Sequence, residues 1–392
     1  MGAAAVSFNQ VNLDAQANAD AFLALAPPHG AFRPARVVPG AQEILAIAYS
    51  GSALELLTAS APPGQPCCTT VQVIRHRAGG GFGLRQTLVT DVGGGSTGRL
   101  VPLSNGRMLA VIAGPQRLWA TEARAGGHFG AVRGLTPPGS APAALAVTGT
   151  PNGGSTIAWT LGAGASVFGA SAGPGATPSR PHTLVNLAQG HAIDGLQLAA
   201  RPNGVTLAWT ESWNDAAGAY HAEAMAADVA GGRLTRPRAL SAPGEVASGL
   251  ALSSDLVGAE VAAWDVCAGA SGTCALEGRV RPGEVSTVPR RGARKRVGAR
   301  WFGALSSLGR IDPGESPLVS VAPAGKSLIG WITGGRVALA AGRAGAGRFG
   351  VGRLVSGAPA ENLDVGFGPT GEAVAAWTEG TAAPGVLVSV GR

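Results

Sequence analysis

At 392 residues the chain exceeds the usual length of one compact domain, and its 45% apolar and 14% charged residues exclude a disordered chain. The formal charge of +7 suits anionic partners, but aromatics are only 5% and no basic stripe has aromatics interleaved, which argues against a nucleic-acid interface. No apolar stretch reaches the roughly 18 unbroken residues of a membrane span.

In chain order, Met1–Phe8 has neither the basic region nor the long apolar region of a signal peptide, although a chain whose signal had been removed would read the same way. Ala21–Ala26 reads as a strand. Phe32–Val38 reads as the last strand of a unit, because it matches Phe349–Val355. Ser52–Thr58 and Arg107–Ile112 are apolar strands, with Leu57 and Val111 at the position that carries Trp in later copies. That later phrase is a Pro-x-Gly turn followed by a strand containing Trp, at Pro151–Thr160, Arg201–Thr210, Pro323–Thr333 and Pro369–Thr378, with Val261–Asp265 as a further copy. Pro presets φ and the following Gly tolerates φ > 0, as a tight hairpin needs, and the alternating run behind it reads as a strand. A second phrase, a Gly-rich turn ending in Phe-Gly, follows at Val73–Gly83, Trp119–Gly130 and Val337–Gly350, as Gly-Gly-x-Phe-Gly in the first two, and marks the turn between a third strand and a fourth.

Trp or its substitute recurs at 57, 111, 159, 209, 264, 331 and 377, a mean interval of about 53 residues, close to one four-stranded propeller blade. The fold class expected is all-β: a single β-propeller domain over 1–392, with about seven four-stranded blades and six or eight as alternatives. Pairing of Phe32–Val38 with the C-terminal strand Val386–Val390 would close the ring and cover its sheet edges. Ala21–Ala26 then leaves one strand too many, which an eighth blade or an extra N-terminal strand would absorb.

These phrases resemble the degenerate propeller repeats of secreted bacterial proteins and are similar to TolB-like and sialidase-like propellers. The resemblance covers nearly the whole chain and implies the fold. The sialidase Asp-box, S-x-D-x-G-x-T-W, is absent, and Trp264-Asp265 is a single occurrence of the WD40 dipeptide, so no catalytic residues of those families have positions here.

The Trp residues at the repeated position, Trp159, Trp209, Trp264, Trp331 and Trp377, read as core between blades. Trp213 is off register, in the segment Glu211–His221 expected to be a loop, and with Asp215 is a candidate ligand contact. The junctions before the innermost strands carry Glu43, Asp91, Asp194, Glu245, Glu315, and Glu361 with Asp364. Such carboxylates could ring the channel mouth and hold a divalent cation or a basic ligand, against the plainer reading that they are polar loop residues. His191 with Asp194, and His221 with Asp215 and Glu223, are the His–acid pairs near that face, and neither has the spacing of a zinc site on a helix. Gly93–Gly98 lacks the Lys of a phosphate-binding loop. The basic run Arg290, Arg291, Arg294, Lys295, Arg296 and Arg300 reads as a solvated loop, or as a surface for something anionic.

Of the four cysteines, Cys67 and Cys68 lie in the first repeat and Cys267 and Cys274 in the fifth, well apart around a ring. Cα atoms must approach within about 7 Å for a bridge, so local pairing of Cys267 with Cys274 across a hairpin is expected, with Cys67 and Cys68 left open between a vicinal bridge and thiols. A disulfide would mark export to an extracellular or periplasmic compartment. The function expected is that of a non-enzymatic binding or scaffold propeller, monomeric, presenting loops to a glycan, a cell-wall polymer or a protein. The alternative is a glycosidase or lyase with acidic residues at the channel mouth doing acid–base work.

Overall fold

A computed structural model of the chain describes residues 4–11, 19–27, 30, 32–62, 68–77, 80–162, 164–255, 257–267, 274–283, 301–322, 325–343, 348–367, 371–379 and 385–391. The chain forms two compact units, one of residues 1–162 with 167–183 and one of residues 163–166 with 184–392. The described residues form eight antiparallel sheets, the upper of the numbers expected.

In the first unit, sheet 1 joins β1 (Ala4–Val11), β2 (Ala19–Ala26) and β3 (Arg36–Val37), and sheet 2 joins β4 (Glu43–Ser50), β5 (Ala53–Ser60), β6 (Thr70–Arg77) and β7 (Phe82–Val89). Sheet 3 joins β8 (Thr97–Pro102), β9 (Met108–Gly114), β10 (Arg117–Ala123) and β11 (Arg133–Gly134). Sheet 4 joins β12 (Pro142–Gly149), β13 (Ser155–Leu161), β14 (Ser166–Ala172) and β15 (His182–Asn186). In the second unit, sheet 5 runs β16 (His191–Arg201), β17 (Gly204–Asn214), β18 (Tyr220–Ala230) and β19 (Arg233–Leu234), with β20 (Arg238–Ala239) also on β18. Sheet 6 runs β21 (Ala247–Ser254), β22 (Glu260–Cys267), β23 (Cys274–Arg281) and β24 (Ser306–Ile311). Sheet 7 runs β25 (Leu318–Val321), β26 (Lys326–Thr333), β27 (Arg336–Arg343) and β28 (Arg348–Phe349), with β29 (Arg353–Leu354) also on β27. Sheet 8 runs β30 (Ala360–Phe367), β31 (Ala373–Glu379) and β32 (Gly385–Gly391). No helix among the described residues is long and apolar enough to cross a membrane.

The second strand of each full sheet is the most legible in sequence because neighbours cover both its faces. β5, β13, β17, β22 and β26 are buried along nearly their whole length, and each carries a short apolar run around the repeated position. The repeated Trp residues are core, as expected: Trp159, Trp209, Trp264, Trp331 and Trp377 are all at most 5% exposed. Within each unit consecutive sheets pack face to face. Trp159 packs with Leu109 and Val111 of sheet 3, Trp264 with Ala208 and Ala224 of sheet 5, Trp331 with Val261 and Ala263 of sheet 6, and Trp377 with Val337 of sheet 7.

At the N-terminus, Arg36–Val37 pairs with Phe22–Leu23 of β2 inside sheet 1. The strand that was one too many, Ala19–Ala26, is the middle of this sheet, because β1 pairs with it along its full length from Ala4 to Val11.

Cys267 and Cys274 face each other in register at the hairpin end of β22 and β23 and form a disulfide, with Cα atoms 4.1 Å apart. Cys68 is disulfide-bonded, which settles it against a thiol, while Cys67 lies outside the described residues, as does the basic run of residues 290–300. Reduction of Cys267–Cys274 releases only a short loop, so the expected loss is about 2 kcal/mol. A urea midpoint equal for the oxidised protein and a Cys267→Ser, Cys274→Ser variant would contradict it.

Candidate functional site

The strands of sheet 5 are longer than those elsewhere. β16, β17 and β18 each run to 11 residues, and the added length carries the segment expected to be a loop. Trp213 is therefore a strand residue, in register with His191 on one side and His221 on the other. Directly opposed residues share a face, and neighbouring strands lie about 4.8 Å apart, so three flat rings form a ladder. His191 and Trp213 are 5.0 Å apart at 8°, and Trp213 and His221 are 5.2 Å apart at 13°. Both faces of the Trp213 indole are thus covered by imidazoles.

Each imidazole is held by a carboxylate. His191 Nδ1 donates to Glu211 Oε1 at 2.6 Å, and His221 Nε2 donates to Asp215 Oδ2 at 3.0 Å. Asp215 Oδ1 also accepts the backbone N–H groups of Ala217 and Ala219, both at 2.9 Å, and so closes the β17–β18 turn. The hydrogen bond from His221 and these amides hold its pKa below the usual carboxylate range. Both of its oxygens are engaged within the hairpin.

The innermost strands share a device that residue types did not announce. β16 is bulged between Ile193 and Gly195, β21 between Ser248 and Ala251, and β30 between Glu361 and Asp364. A bulge leaves a residue unpaired and re-aims its side chain. In β16 that residue is Asp194, which is exposed and opens onto a cleft of about 490 Å³. The cleft lies within the second unit, over the first halves of β16, β21 and β25. Gln197, Thr210, Tyr220, Ser248 and Ser316 also line it. Tyr220, 54% exposed, is the aromatic that the sequence reading passed over in favour of Trp213. Thr210 Oγ1 is buried and has no hydrogen-bond partner among the described residues.

Beneath this cleft lies Asp265, 3% exposed and paired in register with Ser248. Ser248 Oγ donates to Asp265 Oδ2, and Asp265 Oδ1 has no partner among the described residues. Burial raises the Asp265 pKa, against the opposing effect of the Ser248 hydroxyl. Asp265, Cys267 and Cys274 bring metal-ligand atoms together, but both sulfurs are committed to the disulfide, so no thiolate remains to hold an ion.

The other expected carboxylates are dispersed. Glu245 Oε2 accepts the Ala242 N–H at 2.8 Å, and Glu245 lies beside Glu277, whose pKa is raised by burial and by this like charge. Glu315 is exposed in the turn that begins at Asp312, one residue before Ser316 of the cleft. Asp364 follows the bulge of β30; its surface is open, but the protein wall around it desolvates the carboxylate and raises its pKa. Glu361 is exposed on β30. In the first unit Glu43 begins β4 with a pKa raised by burial, and Asp91 is an exposed loop residue with φ of 58°. Of Trp213, Asp215 and the seven junction carboxylates, Asp194 alone lines the cleft.

No known protein family matches the chain, and no curated protein sequence does. Solved structures match over most of its length. The polysaccharide lyase PL25 ulvan lyase covers 90% of this chain and 93% of its own, at 9% identity and a TM-score of 0.52. Hydrazine synthase of Kuenenia stuttgartiensis covers 90% of this chain and 96% of its own, at 12% identity and a TM-score of 0.50. At such identities the likeness is one of fold. Together with the eight successive antiparallel sheets of the described residues, it makes this chain a β-propeller.

Proposed function

We propose that the protein is a binding propeller whose cleft over β16, β21 and β25 holds a polyhydroxylated ligand of the glycan class. The observation that carries this reading is the lining itself: three hydroxyl groups, an amide and a carboxylate surround an open cleft beside the exposed ring of Tyr220. Hydroxyl-rich ligands need many short-range donors and acceptors and a flat apolar surface, and this is that combination. The unpartnered Thr210 Oγ1 supports it, because a buried hydroxyl without a partner is costly unless a ligand or water supplies one. The fold is one that the PL25 ulvan lyase also uses, and a structure of that protein holds -[GlcA(1-4)Rha3S]-. The Cys267–Cys274 disulfide supports an oxidising compartment, extracellular or periplasmic.

Binding is favoured over catalysis because the nucleophile-type residue at the cleft, Ser248, donates to Asp265, while His191 and His221 are held in the Trp213 ladder by their own carboxylates. Calorimetric titration with a panel of oligosaccharides, neutral and charged, tests the assignment. Asp194→Ala and Tyr220→Ala are each expected to weaken the best ligand about tenfold, the equivalent of about 1.4 kcal/mol. Affinities unchanged by both substitutions would move the site elsewhere, and release of shortened products in the same mixtures would replace binding by cleavage.

A further inference from the structure

The net charge is carried unevenly along the chain. Residues 1–183, which hold the first unit, have eleven Arg and no Lys against six Asp and Glu, so +5 of the net +7 falls there. Two of those six carboxylates are matched inside the fold, Glu55 by Arg75 and Glu122 by Arg107. The excess of cation gathers on the outermost strands. From the end of the third strand to the end of the fourth, sheets 1, 2 and 3 use residues 27–37, 78–89 and 124–134, and these hold five Arg and no Asp or Glu.

Each of these strands presents an Arg to solvent. Arg36 pairs in register with Leu23, Arg85 with Ile74 and Arg133 with Ala120, and all three are exposed. Arg36 and Arg133 hold equivalent places. Two residues on, Val38 N–H donates to the Ala21 carbonyl at 2.7 Å and Leu135 N–H to the Leu118 carbonyl at 2.8 Å, and the Val38 and Leu135 side chains are buried, which fixes the strand beneath each Arg. No ion pair is formed by Arg36, Arg85 or Arg133 among the described residues. The outer strands are also joined to one another. Arg85 Nη2 donates to the Pro39 carbonyl just beyond β3, where Gly40, at φ of 65°, leaves the guanidinium the room a side chain would fill. Gln86 beside it exchanges two hydrogen bonds of 2.8 Å with the backbone of Phe129, four residues before Arg133. Arg36, Arg85 and Arg133 thus belong to one continuous surface of the first unit.

We propose that this surface docks an anionic polysaccharide, whose acidic groups are held by the guanidinium groups of Arg36, Arg85 and Arg133. A guanidinium meets a carboxylate or sulfate with paired N–H donors, and three of them on consecutive sheets hold one polymer with a multivalent gain that a single exposed ion pair does not supply. Two other polyanions fit less well. Single-stranded nucleic acid is held by stacking of its bases on aromatic rings, and a lipid surface by apolar side chains that enter it. Among the described residues of the first unit no Trp, Tyr or Phe is exposed, and Val37 is the one large apolar side chain that is. The cleft of the second unit plays no part in this binding.

The test measures binding of polygalacturonate, single-stranded DNA and phosphatidylglycerol vesicles to the full chain by calorimetry. Wild-type protein is expected to bind polygalacturonate most tightly of the three, and to lose affinity for it as added salt screens the charges. Arg36→Gln, Arg85→Gln and Arg133→Gln, combined in one variant, are expected to weaken that binding at least about tenfold. Arg238→Gln, Arg310→Gln and Arg353→Gln remove the same charge from outer strands of the second unit, and are expected to change it less than about twofold. Melting curves and light scattering confirm that each variant is folded and dispersed. If the first variant is not, the three corresponding Arg→Lys substitutions keep the charge but lose the forked donors, and are expected to weaken binding about threefold. Equal weakening by the two Gln variants would leave net charge as the whole cause and overturn the surface. Tighter binding of DNA or vesicles by wild type overturns the polysaccharide, as does binding of none of the three. Unchanged affinity in a first variant that aggregates would assign the arginines to guarding strand edges, and also overturns the proposal.

Discussion

Replacing Arg281 by Met is expected to lower the unfolding free energy by about 3–5 kcal/mol, the usual cost of removing one partner from a buried ion network. Arg281 is 2% exposed and lies at the end of β23 opposite Glu260 of β22. Its guanidinium donates to Asp228 Oδ1 at 2.7 Å and Oδ2 at 3.0 Å, a bidentate pair joining sheet 6 to sheet 5, and to Glu260 Oε2 at 3.3 Å. Arg201 reaches Asp228 at 2.8 Å, and Thr206 donates to Glu260 Oε1 at 2.6 Å. Removing the central cation leaves Glu260, which is fully buried, facing Asp228 with only Arg201 between their charges.

The two acids respond to pH in opposite directions. Burial pushes the Glu260 pKa up to about 7, against the Thr206 hydrogen bond and the attraction of Arg281 and Arg201. A raised carboxylate favours the fold while it is protonated, so this contribution is present below about pH 4.5 and is lost as pH rises through about 7. Asp228 is desolvated too, but Arg281 and Arg201 hold its pKa below the usual value, so its contribution is present above about pH 3.8 and is lost in acid. Without Arg281, Glu260 titrates higher still, and the variant loses more stability than wild type between pH 5 and pH 8. Urea unfolding of both proteins at these two values checks this. A deficit under about 1 kcal/mol, equal at both, would show that the network is dispensable.

Trp264→Ala is expected to cost about 3–5 kcal/mol, and Trp213→Ala only about 1 kcal/mol. Trp264 is fully buried between sheets 5 and 6, against Ala208, Ala224 and Leu252, and no neighbour can close over the void its loss would leave. Trp213 is half-buried at the extended end of sheet 5 and loses chiefly its two ring contacts. Denaturant midpoints of the two variants, taken under one set of conditions, separate a core Trp from a ladder Trp. Equal losses would mean that the repeated Trp position is not the structural anchor of the blade.

Residue types alone record the part of the structure in which local residue choice and local geometry coincide. The strands containing Trp159, Trp209, Trp264, Trp331 and Trp377 are largely buried, so each holds a short apolar run beside its Trp, and the Gly and Pro turns between them have few other conformational uses. The Cys267–Cys274 bridge was legible for the same reason, since both cysteines belong to one hairpin. Strand β1 was missed although Val6 and Phe8 alternate with polar neighbours, because it lacks the turn phrase and the Trp that mark the other units. The rest depends on pairing between distant segments. The apparent loop around Trp213 proved to be strand because sheet 5 is extended by pairing with His191 and His221, which lie 22 and 8 residues away in the chain. Asp194 meets Ser248, Ser316 and Tyr220 because bulges re-aim β16 and β21 and because consecutive inner strands stack side by side. Register, bulge position and proximity between sheets depend on pairing energies summed over whole strands, and no single residue type records them.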